Sequence, residues 1–236
     1  MGSVDALEWS VLPGSCLFCG QPSRQRVDLC EYCERDLPWI QHGCARCGLP
    51  LPPQAPTLCG QCLGTELPFQ LSVAPFRYVA PLPQMIHQFK YHRRMVPGRV
   101  LATLLVRKLR SRYANDVLPH VIVPVPLAWP RLIWRGYNQA GLLATWVGKE
   151  LKLPIAHSLV RRKRGAAPQT GLDAAARERN LRGAFHLAGA EVPRSVAIID
   201  DVMTTGSTFR ELARVLRDGG AEVVHCWALA RTDPHA

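Results

Sequence analysis

The chain has 236 residues, 47% of them hydrophobic and 20% charged, with a formal net charge of +11. This length allows one sizeable domain and one smaller domain. Apolar runs long enough to span a bilayer are absent, and residues 1–15 lack the basic start of a signal peptide, so we expect a cytoplasmic protein without a membrane span.

The charge is unevenly distributed along the chain. Residues 1–70 carry four basic and seven acidic side chains, a net charge of −3, whereas the remaining residues carry twenty-five and eleven, a net charge of +14. The positive field therefore belongs to the second part of the chain, where it attracts pyrophosphates and nucleic acids alike. We predict a small domain over residues 1–68 and a larger one over residues 69–236.

Eight of the nine cysteines form four Cys-x2-Cys pairs within an internal repeat whose period is 28 or 29 residues. In a reducing compartment this spacing is typical of zinc ribbons, and we predict two structural Zn²⁺ ions. The repeat favours sites that close within each unit, while interleaved ligands also fit the spacing. In the closed arrangement one ion takes Cys16, Cys19, Cys30 and Cys33, and the other takes Cys44, Cys47, Cys59 and Cys62.

The segment after the cysteines predicts a strand and then two helices. Residues 71–78 are typical of a strand, and residues 82–91 of a short helix that presents Met85, Ile86 and Phe89. A longer helix is predicted from about Gly98 to Tyr113, with a basic face that we interpret as a solvated surface.

A stiff turn follows the next predicted strand, at residues 121–123. The strand ends in Pro124-Val-Pro126-Leu127, and a helix is predicted from Ala140 to Leu151. Because α/β sheets bind ligands at the carboxyl ends of their strands, this turn is a candidate part of a binding site.

Two acids and a hydroxyl-rich turn lie between a predicted strand, Val196 to Ile199, and a predicted helix that starts at Phe209. The amide groups of a helix N-terminus favour a phosphate, and carboxylates favour sugar hydroxyls or a hard cation such as Mg²⁺. Helix capping alone would explain one acid and one hydroxyl, but not the whole run. The candidate residues are Asp200, Asp201, Thr204, Thr205, Gly206, Ser207 and Thr208.

A long polar segment, residues 161–180, begins with the basic run Arg161, Arg162, Lys163 and Arg164. Such a segment inside a compact domain is typical of a flexible lid, and a solvated charge run is the alternative. The last strand is predicted at Ala221 to Leu229, with Cys226 as a buried thiol. Only seven residues follow Leu229, so we expect no C-terminal hood domain.

The run Asp200 to Thr208 resembles the ribose-phosphate loop of type I phosphoribosyltransferases. In that family, two adjacent acids hold the ribose hydroxyls of phosphoribosyl pyrophosphate, and the following turn wraps its 5′-phosphate. Together with the Pro-Val-Pro-Leu turn, the run Arg-Gly-Tyr-Asn-Gln-Ala at 135–140 and the cysteine repeat, the chain is similar to the ComF (ComFC) family, which is associated with DNA uptake in competence.

This resemblance implies an α/β fold, with a type I phosphoribosyltransferase-like parallel sheet flanked by helices and a small N-terminal double zinc ribbon. It implies that Asp200 and Asp201 are catalytic and bind phosphoribosyl pyrophosphate with Mg²⁺. It places Pro126 and Leu127 in the pyrophosphate loop. It also places Arg135, Asn138 and Gln139 near the leaving group, and Gln169, Arg177 and Asn180 in the flexible loop.

Two classes of function fit these patterns. The first is a phosphoribosyltransferase whose acceptor the sequence does not name. The second is a non-catalytic adaptor that binds single-stranded DNA and keeps the loop as a ligand sensor. The resemblance implies single-stranded DNA, a DNA-uptake helicase and other competence proteins as partners.

Overall fold

The computed structural model describes residues 14–23, 25, 27–163, 181, 183–189 and 191–233. In chain order its strands are β1 (Gly14–Ser15), β2 (Pro22–Ser23), β3 (Leu71–Val73), β4 (Phe76–Arg77), β5 (Val121–Pro124), β6 (Val160–Arg162), β7 (Phe185–Leu187), β8 (Ser195–Met203) and β9 (Val223–Arg231). Its helices are α1 (Glu31–Arg35), α2 (Gly60–Gly64), α3 (Leu82–Tyr91), α4 (Met95–Arg112), α5 (Trp129–Arg135), α6 (Gln139–Leu151) and α7 (Ser207–Asp218).

A parallel sheet forms the centre of the larger domain, with the strand order β3–β9–β8–β5 and with β4 also paired to β9. Val196 to Ile199 are fully buried in β8, as their continuous apolar run predicts for a strand covered on both faces. The strand continues past its predicted end to Met203, because β9 keeps pairing with it as far as Arg231. Asp200 and Asp201 therefore belong to the strand itself.

Helices cover both faces of the sheet. Along β8, Ala197 and Ile199 pack into a core with α3, α4 and α6, whereas Val196 and Ile198 pack into a second core with α7. Alternate residues of a strand point to opposite faces, so a single strand supplies both cores. The predicted class, an α/β sheet flanked by helices, is confirmed.

The cysteine-rich segment packs directly against the sheet through residues 38–40, which follow the first four cysteines. The Ile40 amide donates to the Pro75 carbonyl, and the Arg77 amide donates to the Pro38 carbonyl, both at 2.8 Å. The Trp39 ring contacts the Phe76 ring, with a centroid distance of 4.5 Å. These contacts join the two predicted domains, and the boundary at residue 68 stays a prediction.

Most predicted helices and strands lie near their predicted bounds, but the predicted strand at residues 71–78 is divided into β3 and β4. The short helix α3 occupies residues 82–91 as predicted, and α4 begins at Met95 rather than Gly98. Proline fits the first turn of a helix, so Pro97 does not block this earlier start. Within the described residues, none of the helices has the length and apolar character needed to cross a membrane.

The basic run differs from its predicted place in a flexible loop. Arg161 and Arg162 lie in β6, which pairs antiparallel with β7, and the Lys163 amide donates to the Ala184 carbonyl at 2.8 Å. The predicted loop therefore starts no earlier than Lys163. Arg164, Gln169, Arg177 and Asn180 lie outside the described residues.

Candidate functional site

The acidic pair lies at the carboxyl edge of the central sheet, near the end of β8. Asp201 is buried and Asp200 is half-buried. The Asp200 carboxylate accepts a hydrogen bond from the Asp201 amide at 2.9 Å. The two carboxyl groups leave opposite faces of the strand but remain close enough to interact electrostatically.

Lys90, the penultimate residue of α3, forms an ion pair with Asp201, with 2.9 Å between Nζ and Oδ2. Burial opposes the charged form of this lysine, but the negative charges of Asp201 and Asp200 outweigh burial and raise its pKa. Sequence reasoning missed Lys90, because the apolar spacing of α3 drew attention to Met85, Ile86 and Phe89. A lone lysine at the end of an amphipathic helix gives no signal in the sequence.

The pKa of Asp200 is raised to about 8. Burial is the main cause and the like charge of Asp201 adds to it, while Lys90 and Arg135 act in the opposite direction. A carboxyl group with such a pKa exchanges its proton near neutral pH. A cation or hydroxyl ligand at this position would therefore compete with a proton.

The hydroxyl-rich turn leads directly from β8 into α7. Gly206 is the N-cap residue, with φ of +76°, a conformation that glycine adopts without strain. A Cβ atom added there would contact nothing within 4 Å, so glycine is required by its backbone angle and faces open space. The Thr205 and Ser207 hydroxyls are 2.8 Å apart. Thr204 and Thr208 complete the predicted cradle, and both are half-buried.

The loop after β5 is held against the sheet by Asn138. Its side-chain amide donates to the Val125 carbonyl at 3.0 Å, and its oxygen caps α6 by accepting from the Ala140 amide at 3.1 Å. The Val125 amide donates to the Ile199 carbonyl at 3.0 Å. The half-buried Pro126 and Leu127 follow in the same loop. This predicted pyrophosphate loop thus starts next to the acidic strand.

Two arginines from different elements act electrostatically on the acids. Arg135 is buried, donates to the Gln139 side chain, and lies with its guanidinium 4.8 Å from the centre of the Tyr91 ring. Burial is the main cause that lowers the pKa of Arg162, and the positive charge of Arg131 lowers it further. The negative charge of Asp200 acts in the opposite direction. Among the described residues, the Nε atoms of both Arg135 and Arg162 are buried without a hydrogen-bond partner. Both are suited to an incoming anion.

The eight paired cysteines form two clusters, each confined to one repeat: Cys16, Cys19, Cys30 and Cys33, and then Cys44, Cys47, Cys59 and Cys62. In each cluster all sulfurs lie within 4.8 Å of one another, and two cross-pair distances are 3.7 and 3.6 Å. A tetrahedral Zn²⁺ with sulfur about 2.3 Å away separates its ligands by about 3.8 Å, so both clusters fit zinc. The closed arrangement is confirmed over the interleaved one.

Backbone amides turn toward the first cysteine of each cluster. Burial alone would raise the pKa of Cys44, but hydrogen bonds from the amides of Cys47, Cys59 and Arg46 lower it to about 7. The same balance lowers the pKa of Cys16 to about 6. Because Zn²⁺ binds the thiolate form, these amide hydrogen bonds favour metal binding at Cys16 and Cys44.

Comparison with known proteins agrees with this architecture. A family model described as Double zinc ribbon domain matches residues 7–63. Competence protein F of Haemophilus influenzae is 37% identical over 92% of this chain and 96% of its own. DNA utilization protein YhgH of Escherichia coli is 38% identical over 94% of this chain and 98% of its own. Competence protein ComFC of Streptococcus pneumoniae is 24% identical over 92% of this chain and 99% of its own.

The fold and the two four-cysteine clusters define an α/β protein with a double zinc ribbon. The chain belongs to the family of Competence protein F, YhgH and ComFC, which confirms the resemblance seen in its motifs.

Phosphoribosyltransferases are found among similar solved structures. Glutamine phosphoribosylpyrophosphate amidotransferase from B. subtilis aligns with a TM-score of 0.39 and 18% identity, over 60% of this chain and 30% of that chain. Orotate phosphoribosyltransferase from Aeropyrum pernix aligns with a TM-score of 0.34 and 22% identity, over 57% of this chain and 59% of that chain.

Proposed function

We propose that this protein binds phosphoribosyl pyrophosphate together with Mg²⁺ at the carboxyl edge of its sheet. The observation that carries the proposal is the continuity of Asp200, Asp201 and the loop 204–206 with the start of α7. Carboxylates are the ligands that Mg²⁺ and ribose hydroxyls prefer, and a helix N-terminus is suited to a phosphate. The 5′-phosphate would lie over Gly206, where a Cβ atom would meet open space.

The arrangement of charges supports a ligand that has one anionic part and another part that binds a cation. Lys90 neutralises Asp201 in the free protein, which keeps two close acids from destabilising the fold. A divalent cation would take over this role when it binds. Arg135 and Arg162 would neutralise the pyrophosphate, beside the loop that contains Pro126 and Leu127 and next to Asn138 and Gln139.

With an acceptor present, this placement would allow transfer of the phosphoribosyl group. The bond between C1 of the ribose and pyrophosphate breaks, its electron pair leaves with pyrophosphate, and the acceptor forms a new bond to C1. The protein contributes positioning and charge stabilisation rather than a covalent step. Asp200 and Asp201 are the proposed catalytic residues, because they hold the sugar on which positive charge develops.

Calorimetric titration with fragments tests this proposal. Ribose 5-phosphate should bind through the acids and the loop, and inorganic pyrophosphate through the arginines, each more weakly than the whole ligand. Binding of pyrophosphate alone, with no gain from the ribose, would contradict the role of Asp200 and Asp201.

We also propose, as a second function, binding of single-stranded DNA in the cytoplasm. The net charge of +14 over residues 71–236 supports it, together with the names Competence protein F and DNA utilization protein carried by the relatives. A DNA-uptake helicase and other competence proteins are the proposed protein partners. Turnover with an acceptor would separate an enzyme from an adaptor that only binds both ligands. If the strand is held through its phosphates, its binding should disappear at moderate salt whatever the base sequence.

A further inference from the structure

The short helix α5 exposes three large apolar side chains next to the candidate site. Trp134 is 70% exposed, Ile133 66% and Trp129 54%, and Tyr91 at the end of α3 is 42% exposed. The Tyr91 and Trp134 rings are 5.7 Å apart between centroids. We call Tyr91, Trp129, Ile133 and Trp134 the aromatic surface. A cluster of exposed side chains of this size is typical of a binding surface rather than of a solvated helix face.

The charges around this surface identify the class of ligand. The two segments that form it, residues 87–94 and 128–138, contain four arginines and one lysine and no acidic residue. The Arg135 guanidinium lies over the Tyr91 ring, and a Cβ atom added at Gly136 would come within 2.9 Å of the Arg93 guanidinium. Aromatic rings combined with cations are what single-stranded nucleic acids require, because bases stack while phosphates pair with arginine.

We propose that the aromatic surface stacks nucleobases of a single-stranded nucleic acid, with its backbone held by Arg93 and Arg131. The proposal rests on the proposed binding of single strands and assigns it a place. Rings on α5 and α3 offer more than one stacking position, which suits consecutive bases better than one small acceptor. The strand would pass beside the acids, because Tyr91 directly follows Lys90, whose Nζ lies 2.9 Å from Asp201 Oδ2.

The test compares two labelled strands of equal length in fluorescence anisotropy: an oligothymidylate, and a strand of abasic sugar-phosphate units. The parent protein should bind the thymidine strand more tightly. Trp134→Ala should weaken that binding by about 5- to 100-fold without changing the salt slope, and should leave abasic-strand binding unchanged. Trp134→Phe, which keeps a ring, should retain most of the affinity. Tyr32→Ala is the matched control, since Tyr32 is 71% exposed on the zinc ribbon.

The outcomes separate this inference from the functions on which it depends. If the parent binds neither strand, proposed strand binding fails and the aromatic surface loses its ligand. If the parent binds both strands equally and Trp134→Ala changes neither, strand binding stands and the stacking role is overturned. Zinc content and thermal unfolding of Trp134→Ala should match the parent, because an exposed side chain contributes little to the core.

Discussion

The Arg231 guanidinium donates a hydrogen bond from Nε to the Cys47 carbonyl at 3.2 Å, which joins the last residue of β9 to a cysteine of the second zinc cluster. Its Nη1 atom donates to the Met203 carbonyl at 3.1 Å and also to the Thr204 carbonyl. Arg231 is buried, so these bonds are shielded from water. One side chain therefore connects the zinc ribbon to the first residue of the candidate phosphate loop.

Replacing Arg231 should disturb both ends of this connection. Arg231→Met removes the arginine donor from the Cys47 and Thr204 carbonyls, and we expect the free energy of unfolding to fall by at least about 2 kcal/mol. Amide hydrogen exchange should rise at residues 203–206. Denaturation and exchange experiments measure both effects. Arg214→Met, a change at an exposed arginine on α7, serves as the control. Equal stability of the two variants would show that the Arg231 bonds contribute nothing.

Loss of zinc should be selective, because each cluster lies within one repeat. Replacing Cys16 and Cys19 together by Ser should release one Zn²⁺ and leave the cluster of Cys44 occupied, as measured by metal analysis of the purified protein. Cys226→Ala should keep both ions, since Cys226 lies in β9 outside both clusters. Release of both ions by the double variant would mean that the two units hold zinc only together.

Ligand binding should depend on pH through Asp200. Its pKa in the folded protein is raised to about 8, above the ordinary value of 3.8, so folding takes up a proton between these values. The stability that this proton contributes is present below the ordinary pKa and is lost as pH rises toward 8. Ligand binding runs in the opposite direction: affinity for Mg²⁺ and phosphoribosyl pyrophosphate should rise until Asp200 is deprotonated.

The charge of Lys90 should set the midpoint of that profile. Lys90 lowers the pKa of Asp200, so Lys90→Gln should move the midpoint upward by about 1 unit. Calorimetric titrations across pH measure the midpoint, and Lys149→Gln, at an exposed lysine on α6, is the control. An unchanged midpoint would show that Lys90 does not act on Asp200.

The exposed cations at the end of β6 offer a test of strand binding that spares the fold. Arg161 and Lys163 are exposed, whereas Arg162 is partly buried beside the acids. Replacing the two exposed residues by Ala should weaken single-strand binding and flatten its salt slope by up to about 1.4 units, since each lost phosphate contact removes ~0.7. Anisotropy across a salt series gives both values. An unchanged slope would assign the phosphate contacts to other cations, such as those around the aromatic surface.

Much of the fold and part of the site were predictable, because the signals are local. The spacing of Cys16 and Cys19 and its echo at Cys44 and Cys47 predicted both clusters, and the apolar run before Asp200 predicted a buried strand. The turn at Gly206 was predictable too, since its residues and the following helix are adjacent in the chain.

Contacts between distant elements were not predictable. Lys90 reaches Asp201 only when α3 packs against the sheet, and Arg231 reaches Cys47 only when the ribbon lies beside β9. Neither residue lies in a recognisable motif. Charge alone predicts a solvated loop for Arg161 and Arg162, because their partner strand β7 is distant in sequence. Pairing of that kind depends on tertiary structure rather than on local pattern.

Calorimetric titration of phosphoribosyl pyrophosphate with and without Mg²⁺, for the parent protein, Asp201→Asn and Gly206→Val, tests the central claim most directly. We expect the parent to bind only with Mg²⁺. Asp201→Asn should lose a ligand for the sugar or its cation, and Gly206→Val should lose the turn, because a β-branched residue is strained at φ of +76°. Zinc content should remain that of the parent in both variants. Equal affinity of the parent and Asp201→Asn, or binding that ignores Mg²⁺, would contradict the proposed site.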